Sequence, residues 1–229
     1  MRKLKNIFEY MYDYDDFVRH IIPHYTEMQA HIVRALHLNP DTKYPILDLG
    51  CGTGQSMEII LMLDELARVI GMDNAPTMLS KANERLSFFS SERWTLQEGD
   101  IISAPYPQGM HGIISFAVCN NFPPEYLNGI YQKIYGALLP GGRFVHADFI
   151  RNEDPAMHLE LEHAYRLTVE QNIPDPSFLA WWFGEGENHY YPCTLSTHFS
   201  CLKEAGFTDI QLEWRQGNQA IFSARKPSA

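Results

Sequence analysis

The chain reads as an α/β protein with a mostly parallel seven-stranded sheet, helices on both faces and an antiparallel hairpin at its end. Three observations carry that expectation. Between residues 45 and 150, apolar runs of strand length alternate with segments of helical period. One junction, Ile46-Leu47-Asp48-Leu49-Gly50-Cys51-Gly52-Thr53-Gly54, passes from strand to helix through three glycines at alternate positions. Last, Thr208 to Arg215 and Ala220 to Ala224 are joined by a Gly-Asn turn, which reads as a hairpin and leaves no room for a parallel crossover.

The elements follow in order. Residues 6 to 38 are helical by pattern, with Pro23 dividing them, and Met28, Ile32, Val33 and Leu36 mark a buried face. Pro45 to Leu49 is a buried strand, and Gln55 to Leu66 a largely buried helix. Arg68 to Met72 is the second strand, with Asp73 and Asn74 at its end, followed by a helix from Pro76 to Phe89. Trp94 to Gln97 and His111 to Phe116 are the third and fourth strands. A helix then ends on Leu139-Pro140-Gly141-Gly142, where proline stops it and glycine turns it, and the fifth strand starts.

Residues 151 to 192 break the alternation. They hold a helix from Pro155 to Gln171, then Phe178 to Phe183 with Trp181 and Trp182, and end in a Gly- and Glu-rich stretch before Tyr191. Such an insertion beside a binding face is expected to act as a lid. Trp181, Trp182 and Phe183 suit packing of the insertion or contact with a substrate. Leu195 to Ala205 is the last helix. The expected organisation is one domain over residues 1–229. It comprises a helical cap (1–40), a binding core (41–150), the insertion (151–194) and the last helix with the hairpin (195–229).

The glycine turn carries the functional reading. A dinucleotide fingerprint needs a glycine at position 55, and Gln55 stands there. The observed stretch Asp48-Leu49-Gly50-Cys51-Gly52-Thr53-Gly54 resembles the first motif of the class I S-adenosylmethionine (SAM)-dependent methyltransferases. The resemblance implies a Rossmann-like fold with SAM as cofactor and S-adenosylhomocysteine as product. Asp48, Gly50, Cys51, Gly52 and Gly54 then hold the amino-acid end of the cofactor. Asp73 lies about twenty residues beyond the turn at a strand end, a position suited to ribose hydroxyls. It also suits a cap of the next helix, a role Asn74 can take instead. Glu98-Gly99-Asp100-Ile101 matches the family's adenine-binding position.

A narrower resemblance, to the carboxy-SAM synthases and their methyltransferase neighbours, is carried by Ile22-Pro23-His24-Tyr25, Asp73-Asn74-Ala75-Pro76-Thr77-Met78 and Glu98-Gly99-Asp100-Ile101. It implies cofactor contacts at Tyr25, Asn74, Met78 and Ser115, with Phe116 beside them. Those synthases use an arginine for a carboxylate close to position 183, where Phe183 stands. That departure favours an ordinary methyl donor.

Methyl transfer asks mainly for alignment of a nucleophile with an activated methyl group. Where relatives often carry a histidine pair, Asn120 and Asn121 stand, and amides take no proton at neutral pH. The candidate bases are therefore His146, Asp148, His189 and Tyr190, with Tyr25 and His24 from the leading segment. His146 and Asp148 share one strand face and suit either substrate or core.

A net charge of −10 argues against a nucleic-acid partner, and no apolar run is long enough for a membrane span. Four cysteines without a C-x-x-C pair, and His20 and His24 separated by Pro23, argue against a metal site. The expectation is a cytoplasmic enzyme acting on a small-molecule acceptor, with a homodimer left open. Carboxy-SAM synthesis from SAM and prephenate, or a non-catalytic SAM-binding module, are the alternatives.

Overall fold

A computed structural model of the chain describes residues 14–38, 45–184 and 190–228. The start of the leading helical segment and His189 lie outside them. Among the described residues, seven strands form one sheet: β1 (Pro45–Leu49), β2 (Arg68–Asp73), β3 (Trp94–Glu98), β4 (Met110–Phe116), β5 (Leu138–Phe149), β6 (Thr208–Gln216) and β7 (Gln219–Arg225). Their order is β3-β2-β1-β4-β5-β7-β6. β1 to β5 pair in parallel, and β7 runs antiparallel between β5 and β6. Strand order reverses between β1 and β4, so a crevice opens at their carboxyl ends, where ligands bind in open α/β sheets.

The helices are α1 (Tyr14–Ile21), α2 (Tyr25–Ala35), α3 (Gln55–Leu63), α4 (Pro76–Leu86), α5 (Leu127–Ala137), α6 (Pro155–Asn172), α7 (Pro176–Trp182) and α8 (Leu195–Glu204). Alternation along the strands divides the core in two. Leu47 and Leu49 face Tyr131, Ile134 and Leu202 of α5 and α8. Ile46 faces Ile32, Ile60 and Leu86 of α2, α3 and α4. A third cluster sits over the strand ends, where Ile21, Tyr25, Phe149, Tyr165 and Val169 meet Phe178, Trp182 and Phe183.

Several boundaries differ from the sequence expectation. α3 stops at Leu63, not Leu66, because Asp64 turns extended (φ −136°) and its carboxylate accepts the Leu66 N–H at 2.8 Å. α4 stops at Leu86, with Phe89 N–H bonded to the Leu86 carbonyl in a following turn. The Pro-Gly-Gly segment does not separate helix from strand. β5 already begins at Leu138, paired with Met110, and the glycines form a kink before Arg143 pairs with Gly112. Buried Leu138 holds the strand start, while Gly141 (φ +79°) donates its N–H to the Lys226 carbonyl at 3.0 Å.

The aromatic run proves to be a helix. Pro176 opens α7 and Asp175 caps it, accepting from Ser177 N–H at 2.8 Å and Phe178 N–H at 3.2 Å. α7 clasps α1: Phe17 meets Phe178 and Trp182 edge-on, at 5.7 and 6.3 Å between ring centres. Trp182 donates to the Tyr165 hydroxyl at 3.2 Å.

Candidate active site

At the end of β1 the chain reverses through three left-handed glycines, Gly50 (φ +71°), Gly52 (+52°) and Gly54 (+79°). Gly50 and Cys51 N–H groups both donate to the Met72 carbonyl, at 2.7 and 3.1 Å, and so fasten the turn to β2. The glycines have different roles. A Cβ on Gly50 would meet Val118 Cγ2 at 2.4 Å, and one on Gly54 would meet Ala82 Cβ at 3.2 Å. A Cβ on Gly52 would meet nothing within 4 Å, so this glycine faces open space.

Asp73, at the end of β2, accepts the Gly52 N–H through Oδ2 and the Ala75 N–H through Oδ1, each at 2.9 Å. It therefore joins the glycine turn to the start of α4, which has no other side-chain cap. Burial raises its pKa against the pull of those N–H groups. Asp48 is fully buried. Burial, then the neighbouring Asp73 charge, push it up to about 8, and Oδ2 has no hydrogen-bond partner among the described residues. A buried carboxylate oxygen without a partner is costly. Here it marks a place for a donor supplied from outside the chain. Cys51 is buried beside both carboxylates, and its thiol is pushed well above its ordinary pKa by burial first.

The leading helix reaches this turn, which no local sequence signal announces. Asp15 Oδ1 accepts from Thr53 Oγ1 at 2.6 Å and from Gln55 Nε2 at 2.7 Å. Arg85 of α4 ties the group together, pairing with Asp15 and with Glu58 (2.6 Å) and donating to the Thr53 carbonyl at 2.8 Å. Tyr14 is half-buried, with Tyr25, Asp73 and Asp15 around it. Its pKa is raised by burial first and then by those groups.

The other expected cofactor residues lie along the same edge. Asn74 is half-buried after β2, and buried Met78 lies in the first turn of α4. Asp100 Oδ1 accepts from the N–H groups of Ile102 (3.1 Å) and Ser103 (3.0 Å) and from Ser103 Oγ (3.0 Å). Burial works to raise its pKa, but those bonds outweigh it and the net direction is down. Ile101 is buried, and its carbonyl accepts from Tyr106 and Lys133. Ser115, buried on β4, lies opposite Leu49. Phe116 meets Tyr25 edge-on at 5.2 Å. His24, with φ +58°, turns the chain after Pro23 so that Tyr25 begins α2 at that contact.

The expected bases separate. His146 and Asp148 are fully buried and bonded to each other, Nε2 to Oδ2, at 3.0 Å. Asp148 also accepts the N–H groups of Asn120 (3.0 Å) and Phe149 (2.8 Å). Burial alone would lower the pKa of His146, but Cys119 and Asp148 hold it up at about 10. His198 is driven down to about 3 by burial and by His146, and accepts or donates at 2.6 Å to the Tyr131 hydroxyl. Cys119 went unnoticed in the sequence. Cys119, His146 and Asp148 present possible ligand atoms within 4.8 Å of one another, yet both carboxylate oxygens already receive protein donors. The pair on β5 thus occupies the core alternative. Tyr190 packs edge-on to Phe149 at 6.0 Å, and burial, then Glu162, raise its hydroxyl pKa well above ordinary.

Comparison with known proteins gives one consistent picture. The family described as a methyltransferase domain matches residues 40–197. A carboxy-S-adenosyl-L-methionine synthase of Wolinella succinogenes is 29% identical over 225 residues, covering 94% of this chain and 90% of that protein. The synthase of Helicobacter pylori strain G27 is 25% identical over 218 residues, covering 93% and 90%. Human N-acetylserotonin methyltransferase in complex with SAM has a similar fold, with a TM-score of 0.63 at 20% identity over 87% of this chain. The chain spans about half of that longer protein, 52% of its length.

Proposed function

The chain belongs to the methyltransferase domain family, and on that premise we propose that it binds SAM and transfers its methyl group to a small-molecule acceptor. The observation that carries the cofactor assignment is the open face of Gly52 between two carboxylates, Asp48 with an unpartnered oxygen and Asp73. A cationic amino-acid end and a ribose fit those acceptors, since one offers an ammonium and the other hydroxyl donors. The bound cofactor supplies an electrophilic methyl group. The chain's own work is to hold it at the turn and to exclude water beneath Tyr25, Phe116 and Phe149. Neither His146 nor Asp148 has exposed surface, so alignment rather than proton abstraction is the residue-level contribution this reading assigns.

Isothermal titration with S-adenosylhomocysteine tests the cofactor half, and transfer of radiolabelled methyl from SAM to small acceptors tests the reaction. Absence of binding sinks the reading outright. A second reading, carboxy-SAM synthesis, is supported by the relatives bearing that name over more than nine-tenths of the chain. Position 183 is Phe, but the guanidinium of Arg166 stands 5.0 Å over its ring and brings a cation to that place from α6. Incubation with SAM and prephenate, followed by mass analysis of the nucleoside, separates the two. A carboxylated product selects the synthase reading.

A further inference from the structure

We infer that a cleft beside the carboxyl ends of β4 and β5 is an acceptor site for a small organic acid. In it Arg151 pairs with the carboxylate, and Glu162 receives a hydroxyl or amine donor of the same molecule. This rests on the group-transfer reading above and names its substrate class. The cleft has a volume of about 400 Å³, within the range of small-molecule sites. Arg151 follows β5 directly, and Asn120, whose carbonyl accepts the Tyr191 N–H at 2.6 Å, follows β4. The site therefore lies on the sheet edge that carries the glycine turn.

Arg151 is exposed, and its backbone is fixed. Its N–H donates to the Cys193 carbonyl at 2.9 Å, and it bridges to Thr194. Its guanidinium makes no hydrogen bond or ion pair with any described residue. Arg143, at the other end of β5, is instead consumed by Glu213 at 2.7 Å and Ser223 at 2.8 Å. An anchored and unpaired guanidinium fork is suited to bidentate binding of a carboxylate.

The facing wall comes from α6. His158 and Glu162 are four residues apart and so share a helix face. His158 Nδ1 is buried with no partner among the described residues. Glu162 uses Oε1 to accept from Asn218 at 3.2 Å, which leaves Oε2 for a ligand donor. Tyr190 and Tyr191 complete the lining with ring surface. A cation and a carboxylate in one small cleft disfavour both a hydrocarbon and a polyanion, since either leaves a charge uncompensated. They suit a molecule that carries an acid and a donor group.

The test is titration of the full chain, saturated with S-adenosylhomocysteine, with 4-hydroxybenzoate, its methyl ester, benzoate and phenyl phosphate. The acid is expected to bind about ten-fold tighter than the ester. Arg151→Gln should abolish that preference and Arg151→Lys restore part of it. Glu162→Gln should weaken 4-hydroxybenzoate while leaving benzoate unchanged. All three variants are expected to keep the melting temperature and S-adenosylhomocysteine affinity of the parent. Equal binding of acid and ester, no binding of either acid, or a preference that survives in Arg151→Gln overturns the proposal. Tighter binding of phenyl phosphate than of the acids also overturns it, and assigns Arg151 to phosphate instead. Failure of S-adenosylhomocysteine itself to bind is a different result, which removes the reading beneath it.

Discussion

The two halves of the strand-end crevice meet their polar groups to different extents. Around β1 and β2, the chain leaves groups unmet: Asp48 Oδ2 has no partner among the described residues, and Gly52 opens on empty space. Around β4 and β5, several core polar groups bond one another, with His146 on Asp148, Asp148 on Asn120, and His198 on Tyr131, and His146 Nδ1 is left without a partner among the described residues. Aromatic rings from six separate elements then cover that half. An unmet buried polar group is tolerated where a ligand completes it, whereas groups bonded to one another contribute rigidity. The first half therefore reads as a cofactor cradle. The second reads as scaffold, with acceptor chemistry displaced outward to the cleft at Arg151.

The contrast can be broken by substitution. The largest expected effect is on the scaffold side. Replacing His146 by Asn separates a buried pair, and should cost about 3–5 kcal/mol of folding stability in a denaturant titration. The affinity for S-adenosylhomocysteine should stay within about three-fold, since its contacts lie on the other half. A large loss of affinity at unchanged stability would place His146 in the cofactor site and erase the distinction.

Next comes Asp73→Ala, which removes the acceptor for Gly52 N–H and, on the proposed reading, for the ribose. Charged hydrogen bonds contribute about 1.5–3 kcal/mol each, so calorimetry should register a loss of roughly 100-fold in affinity. Undiminished binding would transfer Asp73 to the capping role alone.

Gly50→Ala should destabilise by about 1–2 kcal/mol from the left-handed backbone, with more from the clash against Val118. Adding Val118→Ala should return the clash portion and leave the backbone portion. If the double variant melts no higher than the single one, packing against Val118 is not what demands glycine there.

The same contrast can be sharpened through pH dependence. Asp48 rises on folding from 3.8 to about 8, so the folded chain keeps a proton that the unfolded chain has lost. Its burial therefore lowers stability as pH climbs through that window. His146, raised from 6.5 to about 10, contributes stability that is full below 6.5 and lost as pH rises through 10. The melting temperature of the ligand-free protein should thus fall from neutral pH towards pH 10. Asp48→Asn should flatten the lower part of the fall and His146→Asn the upper part. A cationic ligand drawn to Asp48 near pH 7 should also release a proton, which appears as a buffer-dependent heat of binding.

Most of the fold is legible in local pattern. β1 matches its apolar run residue for residue, and the other strands fall within about two residues of their patterns, because a strand's period of two and a helix's 3.6 are written in adjacent residues. The fifth strand is the exception, since Leu138 pairs before the Pro-Gly-Gly kink through a partner distant in sequence. The aromatic run of α7 has no clean period of its own, and becomes a helix through its Asp175 cap and its packing on α1.

The site is legible in the same measure. Glycine spacing and the acidic strand end are short-range signals, so local pattern suffices to locate Gly50, Gly52, Gly54 and Asp73. Whether His146 and Asp148 face a ligand or each other depends on Cys119, Asn120 and His198, which arrive from other elements. The Asp15–Arg85 pair joins residues seventy positions apart, and Arg151 is distinguished by having no side-chain partner among the described residues. The sequence by itself determined the elements, their alternation and the cradle turn, since these rest on backbone geometry and nearby side chains. Tertiary structure alone decided which polar groups are satisfied and which are left for a ligand, because satisfaction is a property of neighbours brought together by folding.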